Sequence, residues 1–355
     1  MAVFETMFDL LYLSTVIMLG IRLLLLKPRG AKLFGLMAVL LGLGDSFHLF
    51  PRIYAHFSAS GFAGNAAALS WGQFITSITM TVFYVLYYYH YRAMSGDKSN
   101  GKKWAVLVLA ALRIALVLMP QNEWGVMPGN YLFGILRNIP FAILGALLIV
   151  WSYRHREKEG LQHMSLLIFL SFAFYIPVVL WADRYPAVGA LMMPKTVAYL
   201  LIVVLGFRHF VRKTTPTSIL AQAVTALIMG LAGGVFYREA TKYFAYTAKT
   251  HLSVLHVHTL VLGFLFLTLM YLFVRKDSEA LMPRIIRPLH LYLTGLVLTV
   301  VSMLAFGMME LAANATPVYV AALSGVSGIG HLLLGSGLVW MLINLWQHET
   351  VQATA

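Results

Sequence analysis

Eleven apolar runs, near residues 8–26, 33–50, 69–91, 104–119, 130–152, 163–182, 187–207, 217–237, 252–274, 288–312 and 319–346, leave this chain few ways to fold. A helix needs about 20 mostly apolar residues to cross a bilayer. In hydrocarbon only helices and closed barrels satisfy their own backbone groups. Unbroken apolar runs of this length therefore predict an all-α polytopic membrane protein with about eleven transmembrane helices. Charged residues make up only 11% of the chain, against roughly 25% in an ordinary globular domain. The first run has Lys27 and Arg29 after it instead of before it, so it reads as a first span and not as a cleavable signal.

The connections alternate in charge. One set carries Lys27, Arg29 and Lys32; Arg92, Lys98, Lys102 and Lys103; Arg154, Arg156 and Lys158; Arg208, Arg212 and Lys213; and Arg275, Lys276, Arg284 and Arg287. The other set carries only Arg52, Arg184, Arg238, Lys242 and Lys249. Basic loops stay on the cytoplasmic side, which predicts a multi-pass protein of the bacterial cytoplasmic membrane with its N-terminus outside and its C-terminus inside. The net charge of +13 is then a loop property of a protein whose partner is the lipid bilayer, not nucleic acid. With no cysteine in the chain, thiolate metal sites, iron–sulfur clusters and covalent c-type haem attachment are excluded.

Thr214-Thr215-Pro216 follows the basic cluster Arg208–Lys213 and is the natural seam. It divides the chain into a seven-helix domain, residues 1–213, and a four-helix domain, residues 217–355. The second is expected to be an up-down-up-down bundle, a fold that builds cofactor sites from inward-facing side chains.

Ionisable side chains inside spans are costly and mark candidate sites. The ninth run opens with His251, His256 and His258, and the eleventh holds His331. In simple up-down order these two helices are diagonal partners. His256 and His258 point about 200° apart, so one helix aims only one of them at a shared centre. Small and polar neighbours, Ser253, Thr259 and Gly263, favour His256 facing inward, whereas depth in the span favours His258. His331 lies on a stripe with Ser324, Ser327, Gly328 and Gly335. A b-type haem held by His331 and either His256 or His258 is one expectation, and another metal such as copper is the alternative. Histidines that only bond across helices, or that line a proton path, are the competing readings. Glu310, with Thr294, Thr299 and Ser302, adds polar groups on the tenth run. His290 and His251 read as headgroup-level residues.

The stretch FYREATKYFAYTAKTHLSVLHVHTLVLGFLF (residues 236–266) resembles an uncharacterised family of four-span bacterial membrane proteins, over about residues 217–346. The pattern His256-x-His258-x-x-x-Leu262-Gly263 is similar to one in short relatives of haem–copper oxidase subunit I. That likeness implies transmembrane histidines as haem ligands. The further histidines of a haem–copper centre are missing, so oxygen reduction is not implied.

In the seven-helix half, Asp45 and His48 share a helix face, and Arg113, Arg137 and Lys195 fall inside runs. Such charges need a partner. Asp45, taken as the only internal acid, is expected to pair with Arg137 or Lys195. The surplus of cations suits an anionic ligand or a haem propionate; the alternative is arginines that snorkel or bond to backbone freed by prolines. PQNEW (120–124), RNIPF (137–141) and LMMPKTVAY (191–199) resemble parts of another uncharacterised bacterial membrane family. The tyrosines of YVLYYYHYR (84–92) read as an interfacial belt. A lysine in the seventh span invites a retinal-protein reading, but no NPxxY pattern supports it. Walker A and GxSxG motifs are absent as well.

Three functions follow as expectations. The first is a membrane haem or metal protein that handles electrons or a gas and needs a membrane redox partner. The second is a transporter or sensor of a small anion. The third is a structural or assembly protein without chemistry of its own.

Overall fold

The computed structural model describes residues 2–313 and 316–354. Met1, Asn314, Ala315 and Ala355, which fall within the two expected domain ranges, lie outside the described residues. The described chain is helical, with no strand. The helices are α1 (Ala2–Leu24), α2 (Arg29–Phe57), the short α3 (Gly61–Gly64), α4 (Ala66–Ser95), α5 (Asn100–Leu118), α6 (Tyr131–Leu136), α7 (Ile139–Arg154), α8 (Met164–Trp181), α9 (Met192–Phe210), α10 (Pro216–Tyr243), α11 (Leu252–His258), α12 (Phe266–Val274), α13 (Ser278–Leu311) and α14 (Pro317–Thr354). Each of the eleven apolar runs is helical. Ten of the resulting segments among the described residues are long and apolar enough to cross a membrane. The other is α5, which carries Lys102, Lys103 and Arg113.

The punctuation is local. Gly96 ends α4 in the left-handed region, at φ 74°, where a residue without Cβ is unstrained. The Ser99 hydroxyl caps α5 by accepting from the Lys102 amide, and Asp277 caps α13 through the Ala280 amide. Both satisfy N–H groups that a helix start leaves open. The 130–152 run is broken: α6 stops at Leu136 and α7 restarts at Ile139 with Pro140 in its first turn. Proline has no N–H to donate and disfavours helix in the residue before it. The break leaves Arg137 and Asn138 in a turn inside the span.

Two compact units are distinguished. One, the N-terminal unit, is Thr15–Arg52 with Ser60–Arg212; the other, the C-terminal unit, is Met1–Ser14, Ile53–Ala59 and Lys213–Ala355.

In the N-terminal unit α4 packs on α5 and α7, α7 on α8, and α8 on α9. Its centre holds Tyr84, Tyr87, Tyr88 and Tyr91, all buried. These tyrosines are therefore a core stripe at i, i+3, i+4 and i+7 of one helix, not an interfacial belt. Three of the polar tips are engaged: Tyr84 meets Ser171 at 3.0 Å, Tyr87 meets Ser152 at 2.8 Å, and Tyr91 meets His155 at 3.1 Å. Small hydroxyl residues on α7 and α8 draw the rings inward, because a buried phenol needs a hydrogen-bond partner.

In the C-terminal unit α10 packs on α11, the turn after it and α12, while α13 packs on α11 and along most of α14. The α13–α14 approach is backbone to backbone. A Cβ on Gly337 would sit 2.6 Å from the Tyr292 amide nitrogen, and one on Gly330 would sit 2.9 Å from that of Thr299. Close approach through small residues is how membrane helices gain packing without a hydrophobic drive. Pro288 cannot donate to the carbonyl of Arg284, and Asn344 of α14 donates to it instead at 2.8 Å. The core runs through Leu267, Met270, Ile285, Leu289, Tyr292, Met341 and Leu345.

Candidate functional site

The histidines of the C-terminal unit come first. α11 ends at His258, and Thr259–Leu265 forms a π-helical stretch before α12. Such wide turns leave carbonyls short of partners and recur at functional sites. Here the Tyr292 hydroxyl donates to the carbonyl of Leu262 at 2.7 Å. His256 is half-buried and faces α10: its ring lies parallel to Tyr237 at 6.4 Å, beside Gly234. Its Nδ1 is buried without a hydrogen-bond partner. His258 turns back on its own helix, with Nδ1 2.9 Å from the carbonyl of Val254. His331 does likewise, 2.8 Å from the carbonyl of Ser327, and lies on the exposed face of α14. The buried face of α14, Leu334, Gly337 and Met341, is taken by α13.

The expected ligand pair makes no direct contact in the structure. Among the described residues no hydrogen bond or ring contact joins His331 to His256 or His258, and no group of three or more His, Asp or Glu side chains has metal-site geometry. α14 lies along α13, as consecutive helices of an up-down bundle do, and His331 is turned away from that contact. Glu310 joins a different cluster. It accepts from the Thr250 hydroxyl at 2.7 Å and the His251 amide at 2.9 Å, and its other oxygen is 2.5 Å from His251 Nδ1. The His251 ring stacks on Phe306. Glu310 caps the entry to α11.

The N-terminal unit holds a cavity of about 240 Å³. Its walls include His48, Arg113, Arg137 and Lys195, four of the side chains singled out by sequence, together with Asn122, Tyr175 and Tyr199. Arg113 is only 2% exposed. Its guanidinium carbon lies 3.2 Å above the centre of the Phe141 ring. Nε and Nη1 of Arg113 have no hydrogen-bond partner, and among the described residues no carboxylate forms an ion pair with it. Arg137 donates to the Asn122 side chain at 2.7 Å and covers the Trp124 ring at 4.4 Å. Lys195 lies over Tyr175 and Tyr199, at 4.9 and 5.3 Å. Asp45 is near enough for its charge to act on Lys195. Asp183 is an exposed acid at the rim.

Each cation is placed by short-range chemistry. Asn122 donates to the carbonyls of Leu116, at 2.7 Å, and Met119, at 2.8 Å. It thereby closes the C-terminal end of α5 while its oxygen points Arg137. Trp124 donates to the Val117 carbonyl at 2.8 Å. Asn138 donates to Gly134, at 2.8 Å, and accepts from Tyr175, at 2.9 Å, so the broken helix has its open groups covered. The three motifs around Asn122, Arg137 and Lys195, spread over some eighty residues of sequence, meet on one cavity. Arg113 is the member with no motif around it.

Two features escaped the sequence reading. Asp45 is not the only internal acid: Asp9 of α1 is 5% exposed, and Glu5 lies 3.2 Å from His56. Asp9 sat near the edge of an apolar run, where burial is not visible from hydropathy. The buried tyrosine stripe was the other. Its helical spacing was the available signal.

The fold defines a multi-pass integral membrane protein. Within it, residues 217–348 match the model of a family described as Protein of unknown function (DUF2871), in line with the resemblance of that stretch to an uncharacterised family. No curated protein and no solved structure matches the chain.

Proposed function

We propose that this protein binds a small anion in the cationic cavity of its N-terminal unit, as a transporter or sensor in the bacterial cytoplasmic membrane. The observation that carries the reading is Arg113. Arginine keeps its charge in any protein environment, and a buried charge without a counter-ion costs several kcal/mol. An anion that accepts from Nε and Nη1 removes that cost. Arg137 and Lys195 add positive potential, and burial strengthens each interaction relative to bulk water. Binding of acetate, nitrate, sulfate and phenylacetate to the purified full chain, measured by titration calorimetry, tests it. At least one should bind, and Arg113→Gln should weaken that binding more than a hundredfold, since two charge-assisted hydrogen bonds of about 1.5–3 kcal/mol each are lost. If none binds, the reading fails.

A haem b on the C-terminal histidines is the second reading. It is favoured by the open Nδ1 of His256 and by the small residue beside it, Gly234. A bis-histidine haem needs ring nitrogens about 4 Å apart, twice the usual His–metal distance, so the geometry supports the anion reading better. A Soret band in the purified protein would restore the haem reading.

The orientation belongs to the same proposal: N-terminus outside, C-terminus inside, from the loop charges. Reporter fusions at Gly101 should read cytoplasmic and those at Asn122 external; the reverse pattern would overturn it.

A further inference from the structure

A second cavity, of about 140 Å³ and open to the outer face where Ile139 and Ile176 are exposed, adjoins the cationic one and shares four of its walls: Asn138, Phe141, Tyr175 and Val179. The rest of its lining is apolar, from Ile135, Ile139 and Ala142 on one side to Phe172, Ile176 and Leu180 on the other. The polar atoms at the junction are already engaged, since Tyr175 donates to Asn138 and Asn138 donates to Gly134. This second chamber therefore offers nothing to an ion. Phe141 separates the two chemistries. Arg113 lies over its ring, and Phe172 packs on it at 4.9 Å.

We infer that the anion is amphiphilic: a monocarboxylate with an apolar tail of about one ring or a short alkyl chain, and not an inorganic anion. This rests on the anion reading and adds the identity of the ligand. The carboxylate accepts from Arg113 in the polar chamber, while the tail passes Phe141 and fills the space between α7 and α8. The size agrees, since an apolar cavity of about 150 Å³ takes a benzene ring. The charge agrees as well. Arg113, Arg137 and Lys195 line the cavity with one carboxylate, Asp183, and Asp45 acts on Lys195, so one added negative charge balances the group. Burying a phenyl-sized group tightens binding by roughly tenfold to a hundredfold.

The test uses the full chain in nanodiscs of a zwitterionic lipid, titrated with acetate, phenylacetate and benzyl alcohol. Phenylacetate should bind at least tenfold more tightly than acetate, and benzyl alcohol should not bind measurably. Ala142→Phe fills the apolar chamber from α7, and Ile176→Trp fills it from α8. Either should erase the advantage of phenylacetate and leave acetate unchanged, whereas Arg113→Gln should weaken both acids. Equal affinity for acetate and phenylacetate would overturn the tail chamber and leave the anion reading standing. Undiminished phenylacetate binding in both filled variants would do the same. Failure of every anion to bind would remove both.

Discussion

The two units differ in what their candidate side chains bond. In the C-terminal unit His258 and His331 bond the carbonyl four residues back on their own helix, and Glu310 is spent on Thr250 and His251. These three side chains are consumed by the fold, while His256 keeps Nδ1 open. In the N-terminal unit Arg113 keeps two donors open at 2% exposure, with Arg137 and Lys195 on the same cavity. A fold does not gain stability by burying a guanidinium without a counter-ion. The contrast is between polar groups that hold helices and cations that the proposed anion would satisfy.

The largest expected effect is at Arg113. Arg113→Gln should abolish most anion affinity and yet leave the thermal midpoint of the ligand-free protein unchanged or raised, because the substitution removes an uncompensated buried charge. A fall of several degrees without ligand would mean that Arg113 is structural, and the contrast would break on that side.

Gly337→Leu tests the other side. The Tyr292 backbone leaves no room for the side chain, and overpacking of this kind costs about 1–3 kcal/mol. A lower thermal midpoint with anion binding intact would show that α13–α14 packing and the cavity are separate functions of separate units. Lost binding would show that they are coupled.

His331→Ala is expected to change stability by no more than about 0.5 kcal/mol, as for an exposed side chain. Loss of a low-spin haem spectrum in that variant, with the spectrum kept in His290→Ala, would turn the C-terminal unit into the working one.

The smallest effect is in the loop between α4 and α5. The Lys102 ammonium bonds Asp97 and holds its carboxyl below the ordinary carboxylate range, with the Ser99 amide adding to this. A depressed carboxyl contributes stability above its unfolded value, near 3.9, and loses it as pH falls through the lower folded value. With the pair near the surface the contribution is a few tenths of a kcal/mol. Asp97→Asn should remove it at pH 7 and make no difference in strong acid, measured by denaturation of the full chain.

What the sequence alone determined is the class of object and the places of its helices. Run length, caps and prolines act within a few residues, so the break at Arg137-Asn138 before Pro140 and the seam before Pro216 are local events with local causes. Sequence also marked Arg113, Arg137, Lys195 and His48 as costly residues in spans. What only the tertiary structure decided is which of them meet. Spacing orients a side chain about its own helix axis, but the neighbour of that face is set by packing. Packing set α14 along α13 and turned His331 outward. It also buried Tyr84, Tyr87, Tyr88 and Tyr91 where composition suggested a belt, and it folded Asn122 onto Arg137. The apolar chamber beside Phe141 has no motif of its own. It exists because α7 and α8 leave a gap that isoleucine, alanine and leucine side chains line without filling, and a gap between helices is a property of three dimensions.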